Sequence, residues 1–140
     1  MEERSFDETV RALVARDPRY PAEAYHFVRE GLDHTVKTLK KGVRGAARHV
    51  SGKELLEGLR EHALEEFGPM ALSVLDAWNI RRTEDFGELV FNLVEAGKLA
   101  RTERDSKDDF AGGYDFQEAF ARPYEVDEPP SRRRSRSRRR

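Results

Sequence analysis

Cysteine is absent from the chain. Its absence excludes a disulfide framework, a thiolate nucleophile and any cysteine-based zinc site. No window approaches the roughly 18 uncharged apolar residues that a membrane span requires, so no bilayer crossing is expected. The opening Met-Glu-Glu-Arg-Ser-Phe has no basic stretch followed by an apolar one. No secretory signal is expected there, and the cytoplasm is the default location. Apolar residues make up only 37% of the chain, just under the usual globular range even with the 10 glycines added. Catalytic signatures are missing too: there is no Gly-x-Ser-x-Gly elbow, P-loop or Gly-x-Gly-x-x-Gly, and no run sets a nucleophile beside an oriented base. Neither enzymatic activity nor a cofactor is expected.

Charge, by contrast, is abundant: 38% of the 140 residues are Asp, Glu, Lys or Arg, against roughly 25% in typical soluble proteins. The length suits one domain, or one domain plus tails. The net charge of −1 conceals a segregation. Seven of the 26 basic residues (Arg132, Arg133, Arg134, Arg136, Arg138, Arg139 and Arg140) fall in the last nine positions, where there is no acid. Residues 1–131 hold the other 19 basic groups against all 27 acids, a net of −8. A run of like charges repels itself and has no apolar surface to bury, so residues 123–140 are expected to be a disordered tail. Upstream, six basic residues and no acid lie between His34 and Lys53, whereas nine acids face three basic residues between Glu103 and Pro130.

Local signals divide the remainder into helices. Ser5-Phe-Asp-Glu8 and Ser51-Gly-Lys-Glu54 read as capping boxes. The first opens a helix with apolar residues at Phe6, Val10, Leu13 and Val14, ending before Asp17-Pro18 because a residue preceding proline disfavours the helical region. Pro21 suits the first position of a second helix, whose stripe is Tyr25, Val28, Leu32, Val36 and Leu39. Residues 40–50 read as a mobile basic loop. The second capping box leads into Leu55, Leu56, Leu59, Ala63 and Phe67, and Gly68-Pro69 ends that helix and starts a short one. There Met70, Ala71, Val74, Leu75 and Trp78 are expected inward, with Asn79 as a left-handed terminator. Thr83 is placed as the cap of a fifth helix with the stripe Phe86, Leu89, Val90, Leu93 and Val94, closed by Gly97. Lys98 to Glu103 then reads as a strand, Arg104 to Asp109 as a polar turn, and Phe110 to Phe116 as a second strand.

Residues 51–117 therefore run helix, short helix, helix, strand, turn, strand. This order resembles the winged-helix variant of helix-turn-helix, with Glu88-Leu-Val-Phe-Asn-Leu-Val-Glu-Ala-Gly-Lys-Leu-Ala-Arg-Thr similar to a third helix running into the wing. The resemblance implies a mainly α fold with a small β-hairpin. It makes residues 1–122 one α-rich domain, a helical pair over 5–40 preceding a winged-helix-like unit over 51–117. A wider resemblance covers most of residues 17–120. Arg48-His-Val-Ser-Gly-Lys-Glu-Leu-Leu-Glu-Gly58, Phe67-Gly-Pro-Met-Ala71, Thr83-Glu-Asp-Phe-Gly-Glu88 and Gly113-Tyr-Asp-Phe116 look like a family of uncharacterised planctomycete, verrucomicrobial and related bacterial proteins. That family supplies no activity and so no catalytic residues; the Arg-Ser tail lies outside the resemblance.

The candidate binding groups are the seven tail arginines together with Lys40, Lys41, Arg44 and Arg48 of the basic loop. Guanidinium groups pair with phosphates as planar bidentate donors, and Arg-rich segments order on RNA. RNA or ribonucleoprotein is one partner for the tail, and an acidic protein is another. The tail could also fold back on the acidic 103–128 stretch, at an effective concentration around millimolar, or act only as a solubilising end. DNA is disfavoured. The proposed reading helix offers Glu84, Asp85, Glu88 and Glu95 with no basic residue before Lys98, and phosphate attraction supplies nearly all non-specific DNA affinity. Phe110, Tyr114, Phe116 and Phe120 could stack bases, but the flanking acids favour a core or partner role. Among the four histidines, Glu23-Ala-Tyr-His26 fits Glu-x-x-His once and His62-Ala-Leu-Glu65 is its reverse. A di-iron bundle needs two forward copies plus two more glutamates, so no metal is expected.

The sequence thus predicts a non-catalytic binding or adaptor protein whose acidic body contacts an unidentified protein and whose tail contacts RNA or ribonucleoprotein. The alternative is a DNA-associated winged-helix transcriptional regulator using the wing and the 37–48 loop. Ser131, Ser135 and Ser137 lie among the arginines, and phosphorylating all three would cancel about five or six charges. Intact-mass measurement of the protein from its native cell checks for that switch: phosphate-bearing species are expected, and a single unmodified species argues against it.

Overall fold

The computed structural model describes residues 5–42, 50–99 and 106–125, with no side-chain description for 40–42. Five α-helices carry the fold: α1 (Phe6–Arg16), α2 (Ala22–Gly42), α3 (Gly52–Phe67), α4 (Ala71–Ala77) and α5 (Thr83–Glu95). Short turns of 3₁₀ helix at Gly68–Met70, Lys107–Phe110 and Arg122–Tyr124, and one π turn at Gln117–Ala121, complete it. None of the helices is long and apolar enough to cross a membrane, among the described residues.

The helix boundaries follow from local chemistry. Ser5 Oγ accepts from the Glu8 amide at 3.1 Å while Glu8 accepts from the Ser5 amide at 3.0 Å, and Ser51 and Glu54 repeat the exchange at the same distances. Each box satisfies amides that the first turn leaves without partners. At the far ends, Asn79 and Gly97 take left-handed conformations at φ 67° and 81°. Around Asn79, Ile80 N–H donates to Leu75 O and Asn79 N–H to Asp76 O. Around Gly97, Lys98 N–H donates to Leu93 O and Gly97 N–H to Val94 O. Both are Schellman closures.

α2 is the centre of the molecule, packing most extensively on α3, then on α5 and α1. Its buried face holds only the first half of the expected stripe. Tyr25 and Val28 are buried as expected, and Ala24, Phe27, Gly31 and Thr35 are covered with them, whereas Leu32, Val36 and Leu39 are only partly so. The reason is the closeness of the crossing. A Cβ placed on Gly58 of α3 would lie 1.6 Å from Thr35 Oγ1, and one on Gly31 would lie 2.3 Å from Leu59 Cδ2. Small residues at the contact let the two backbones approach, and Thr35 satisfies its buried hydroxyl by donating to Gly31 O at 2.7 Å. Beside this crossing Phe27 is an aromatic hub, with Phe67, Trp78 and Phe86 ring centres 5.9, 5.7 and 6.3 Å away. In α4, Ala71 and Leu75 point inward, but Met70 is 59% exposed and Ile80 just beyond the helix is fully buried.

The winged-helix expectation for 51–117 is overturned: the described residues contain no strand and no sheet, and only the mainly α part of the fold class holds. Of the first expected strand, Lys98 and Leu99 lie in a turn and the rest lies outside the described residues. The second, Phe110 to Phe116, is replaced by a 3₁₀ turn, an irregular stretch and a helical end. Ser106 and Asp109 form a third capping box that nucleates the Lys107–Phe110 turn. Thr83 then captures the backbone a hairpin would need. It is not the cap of α5, which begins after an extended Arg82. Instead its buried hydroxyl donates to Phe110 O at 2.6 Å and accepts from Gly113 N–H at 3.0 Å. Gly112, at φ 60°, donates its amide to Glu84. The alternating aromatics that imitate a strand are core anchors. Phe110 covers Gly52 and Gly87, and Phe116 and Phe120 meet edge to face at 5.0 Å beneath Tyr114.

Filling the α2–α3 contact tests this account of the crossing. Gly58→Ala is expected to destabilise the protein by about 2 kcal/mol, because Thr35 is β-branched, buried and unable to swing clear. Urea unfolding checks it; an unchanged midpoint contradicts the close approach.

Candidate functional site

The residues expected to bind polyanions fall almost wholly outside the described part. Arg132, Arg133, Arg134, Arg136, Arg138, Arg139 and Arg140, and also Arg44 and Arg48, lie there; Lys40 and Lys41 are in the last turn of α2, their side chains undescribed. The four aromatics for which the flanking acids favoured a core or partner role over base stacking are placed in the core: Phe110, Phe116 and Phe120 are buried, and Tyr114 donates its hydroxyl to Leu56 O at 2.8 Å. Burial, and secondarily the Glu57 charge, pushes the Tyr114 phenol well above its ordinary range.

The supposed reading helix α5 is similarly committed. Six of its apolar or small residues, Phe86, Gly87, Leu89, Val90, Phe91 and Leu93, are buried. Its polar face is tied to the chain leaving α1. Asp17, just past α1, accepts from Arg19 Nε at 2.9 Å, from an Arg19 terminal nitrogen at 2.7 Å and from Asn92 of α5 at 3.1 Å. Asn92 also donates to the Tyr25 hydroxyl at 2.9 Å. Arg19 reaches Glu88 of α5 at 3.1 Å, and Lys107 reaches the same carboxylate oxygen at 3.2 Å. Tyr20 donates to Asp85 at 2.6 Å. The Arg19 fork holds the Asp17 carboxyl well below the usual carboxylate range. Burial opposes ionisation of Glu88, but hydrogen bonds from Arg19 and Lys107 outweigh it and lower its pKa. Burial, then the Asp85 carboxylate, raises the Tyr20 phenol. These shifts mark inter-element ties, since each group has its partner on another segment or at the chain corner between α1 and α2.

A second polar constellation lies on the outer edge of the α2–α3 crossing. His34 of α2 has Nε2 3.1 Å from Glu61 Oε1 of α3, and His62 of α3 has Nε2 3.4 Å from Glu30 Oε1 of α2. The imidazole centres are 5.8 Å apart, and the His62 ring also rests on Phe27 at 5.2 Å. Glu65, one turn beyond His62, joins them: one donor atom each from His34, His62 and Glu65 lie within 4.8 Å of one another. The other motif histidine is elsewhere. His26 faces Asp7 of α1 at 3.3 Å and packs its ring on Phe6. The Glu23–His26 and His62–Glu65 patterns therefore do not meet. His34, which belongs to neither pattern, completes the cluster; its only sequence signal is a place one turn after Glu30 on the same helix.

An open groove of about 400 Å³ runs between α1 and the end of α5, lined by Thr9, Ala12, Leu13, Arg16, Ala96, Gly97 and Lys98. It contains no carboxylate or imidazole. Comparison of the chain with protein-family models, with curated proteins and with solved structures finds no match.

The Asp17 tie carries a pH signature. With its carboxyl held below the unfolded value of about 3.9, the unfolded chain binds the proton more readily. The stabilisation is complete above about pH 5 and is lost as the pH falls through 4 and below. Asp17→Asn is expected to cost about 1 kcal/mol at pH 7, kept small because the Arg19 side chain is 48% exposed. That difference should start to shrink below about pH 4 and vanish only towards about pH 1; chemical denaturation across that range checks it, and a constant difference contradicts the tie.

Proposed function

We propose that the chain is a non-catalytic binding protein: a helical body that contacts protein, carrying an Arg-rich C-terminal run that engages RNA or ribonucleoprotein. The observation carrying this reading is the separation of charge. Among the described residues, five of the body's basic groups, Arg19, Arg60, Arg81, Lys107 and Arg122, are paired with carboxylates of the body itself, Arg60 with Glu57, Arg81 with Asp76 and Arg122 with Glu118 among them. The seven arginines of 132–140 share their run with no acid. A body with a net charge of −8 over residues 1–131 repels polyanions, while seven guanidinium groups attract them. The non-catalytic part of the proposal is supported by the fate of the titratable groups with shifted pKa values. Asp17, Glu88, Tyr20 and Tyr114 join segments of the fold and do not line the groove.

Deletion of Ser131 to Arg140 tests the assignment. Full-length protein is expected to bind single-stranded RNA with a log–log salt slope of about −5 if all seven charges engage. The truncated chain should lose that binding while its thermal midpoint stays the same. Filter binding across a salt series measures both slopes. RNA affinity that survives truncation, or is absent from the full chain at low salt, contradicts the reading.

A further inference from the structure

We propose that His34, His62 and Glu65 form a divalent transition-metal site, of the Zn²⁺ class, that clamps α2 to α3. Two imidazoles and one carboxylate are a borderline-soft nitrogen and oxygen donor set of the kind that zinc and its neighbours in the series prefer. His62 and Glu65 are three residues apart on one helical face, and His34 comes from the facing helix. The Gly31–Leu59 and Gly58–Thr35 contacts hold the two backbones together beneath them, so the donors stand on rigid elements. Their donor atoms lie within 4.8 Å of one another. Tetrahedral zinc needs donors about 3.4 Å apart, as follows from metal–ligand distances near 2.1 Å. Rotation of the exposed Glu65 side chain and small swings of the two rings supply the difference.

The surroundings favour coordination in two further ways. Each histidine presents Nε2 to a carboxylate, Glu61 for His34 and Glu30 for His62. An ionised carboxylate only accepts, so in the neutral ring whose Nε2 donates to it Nδ1 keeps its lone pair, the carboxylate–histidine pairing that orients metal ligands. The His62 side chain is only 12% exposed and rests on Phe27, which gives the site an apolar floor. Its mouth, at Glu65, is open to solvent and leaves a fourth position for water.

Titration of the chelator-treated full chain with Zn²⁺ by calorimetry, and with Co²⁺ by visible absorption, tests the proposal. One ion per chain is expected, with a Co²⁺ spectrum of low coordination number and a raised thermal midpoint in excess Zn²⁺. Glu65→Gln and His34→Gln, both at the rim, should each weaken binding by at least about 10-fold. Circular dichroism confirms that these variants fold, which His62→Ala could fail to do because His62 packs on Phe27. The double variant His26→Gln with His49→Gln should bind as the parent does. Absence of one-to-one binding, binding that persists in Glu65→Gln and His34→Gln, or equal loss in the His26 and His49 variant overturns the site.

Discussion

Two helices, α2 and α3, approach each other more closely than ordinary side chains permit, and most of the architecture is arranged around that contact. Gly31 and Gly58 remove the side chains that would hold the backbones apart, and Thr35 fills the remaining space while satisfying its own hydroxyl. An interior packed at crystal-like density transmits such a constraint outward. Phe27, one turn before Gly31, is thereby brought among Phe67, Trp78 and Phe86. Through Phe86 the same stack continues to Phe116, 5.8 Å away, and so to the C-terminal turns. The residue types at the crossing are small because distance, and not hydrophobicity, is what the contact demands.

The C-terminal segment shows how a few polar groups redirect a chain. Alternating aromatics with a Gly-Gly pair suit a hairpin, yet the amide of Gly113 and the carbonyl of Phe110 both belong to the Thr83 hydroxyl. Once those groups are satisfied across 27 to 30 residues of sequence, strand pairing has nothing to offer them. Phe110, Phe116 and Phe120 then enter the core from a string of turns. The acidic residues nearby have local duties: Asp109 completes a capping box, Asp115 accepts from the Glu118 amide, and Glu118 pairs with Arg122. α5, the helix expected to read DNA in the winged-helix alternative, buries one side and ties the other to Arg19, Tyr20 and Lys107.

Charge in this protein works at two ranges. Within the body, opposite charges meet over a few ångströms and join α1, the α1–α2 corner, α5 and the 107 turn. Such exposed pairs individually contribute little, and their value lies in fixing the geometry of a corner whose buried partners are Tyr20 and Tyr25. Over the whole chain, the excess of acids before residue 131 and of arginines after it sets which surfaces a polyanion can approach. The α2–α3 edge differs from both: its imidazoles and carboxylates are interleaved across two helices, an arrangement suited to sharing a cation.

The caps at Ser5 and Ser51, the terminators Asn79 and Gly97, the mainly α class and the segregation of charge were legible from residue order. Capping boxes, left-handed terminators and like-charge runs act over four or five neighbours and depend on no distant partner. Tertiary structure alone decided which face of α2 is buried. Of the expected Tyr25, Val28, Leu32, Val36 and Leu39 stripe, Tyr25 and Val28 are buried, but beyond them the crossing selects Gly31 and Thr35 over the more apolar Leu32, Val36 and Leu39 because Gly58 stands opposite. It also decided the use of Thr83, whose partners are remote, and the meeting of His34 with His62 and Glu65. Those three residues occupy two helices separated by a loop, and no spacing rule within one helix relates them. Local chemistry therefore wrote the elements, while the steric closeness of one helix pair determined which side chains share a site.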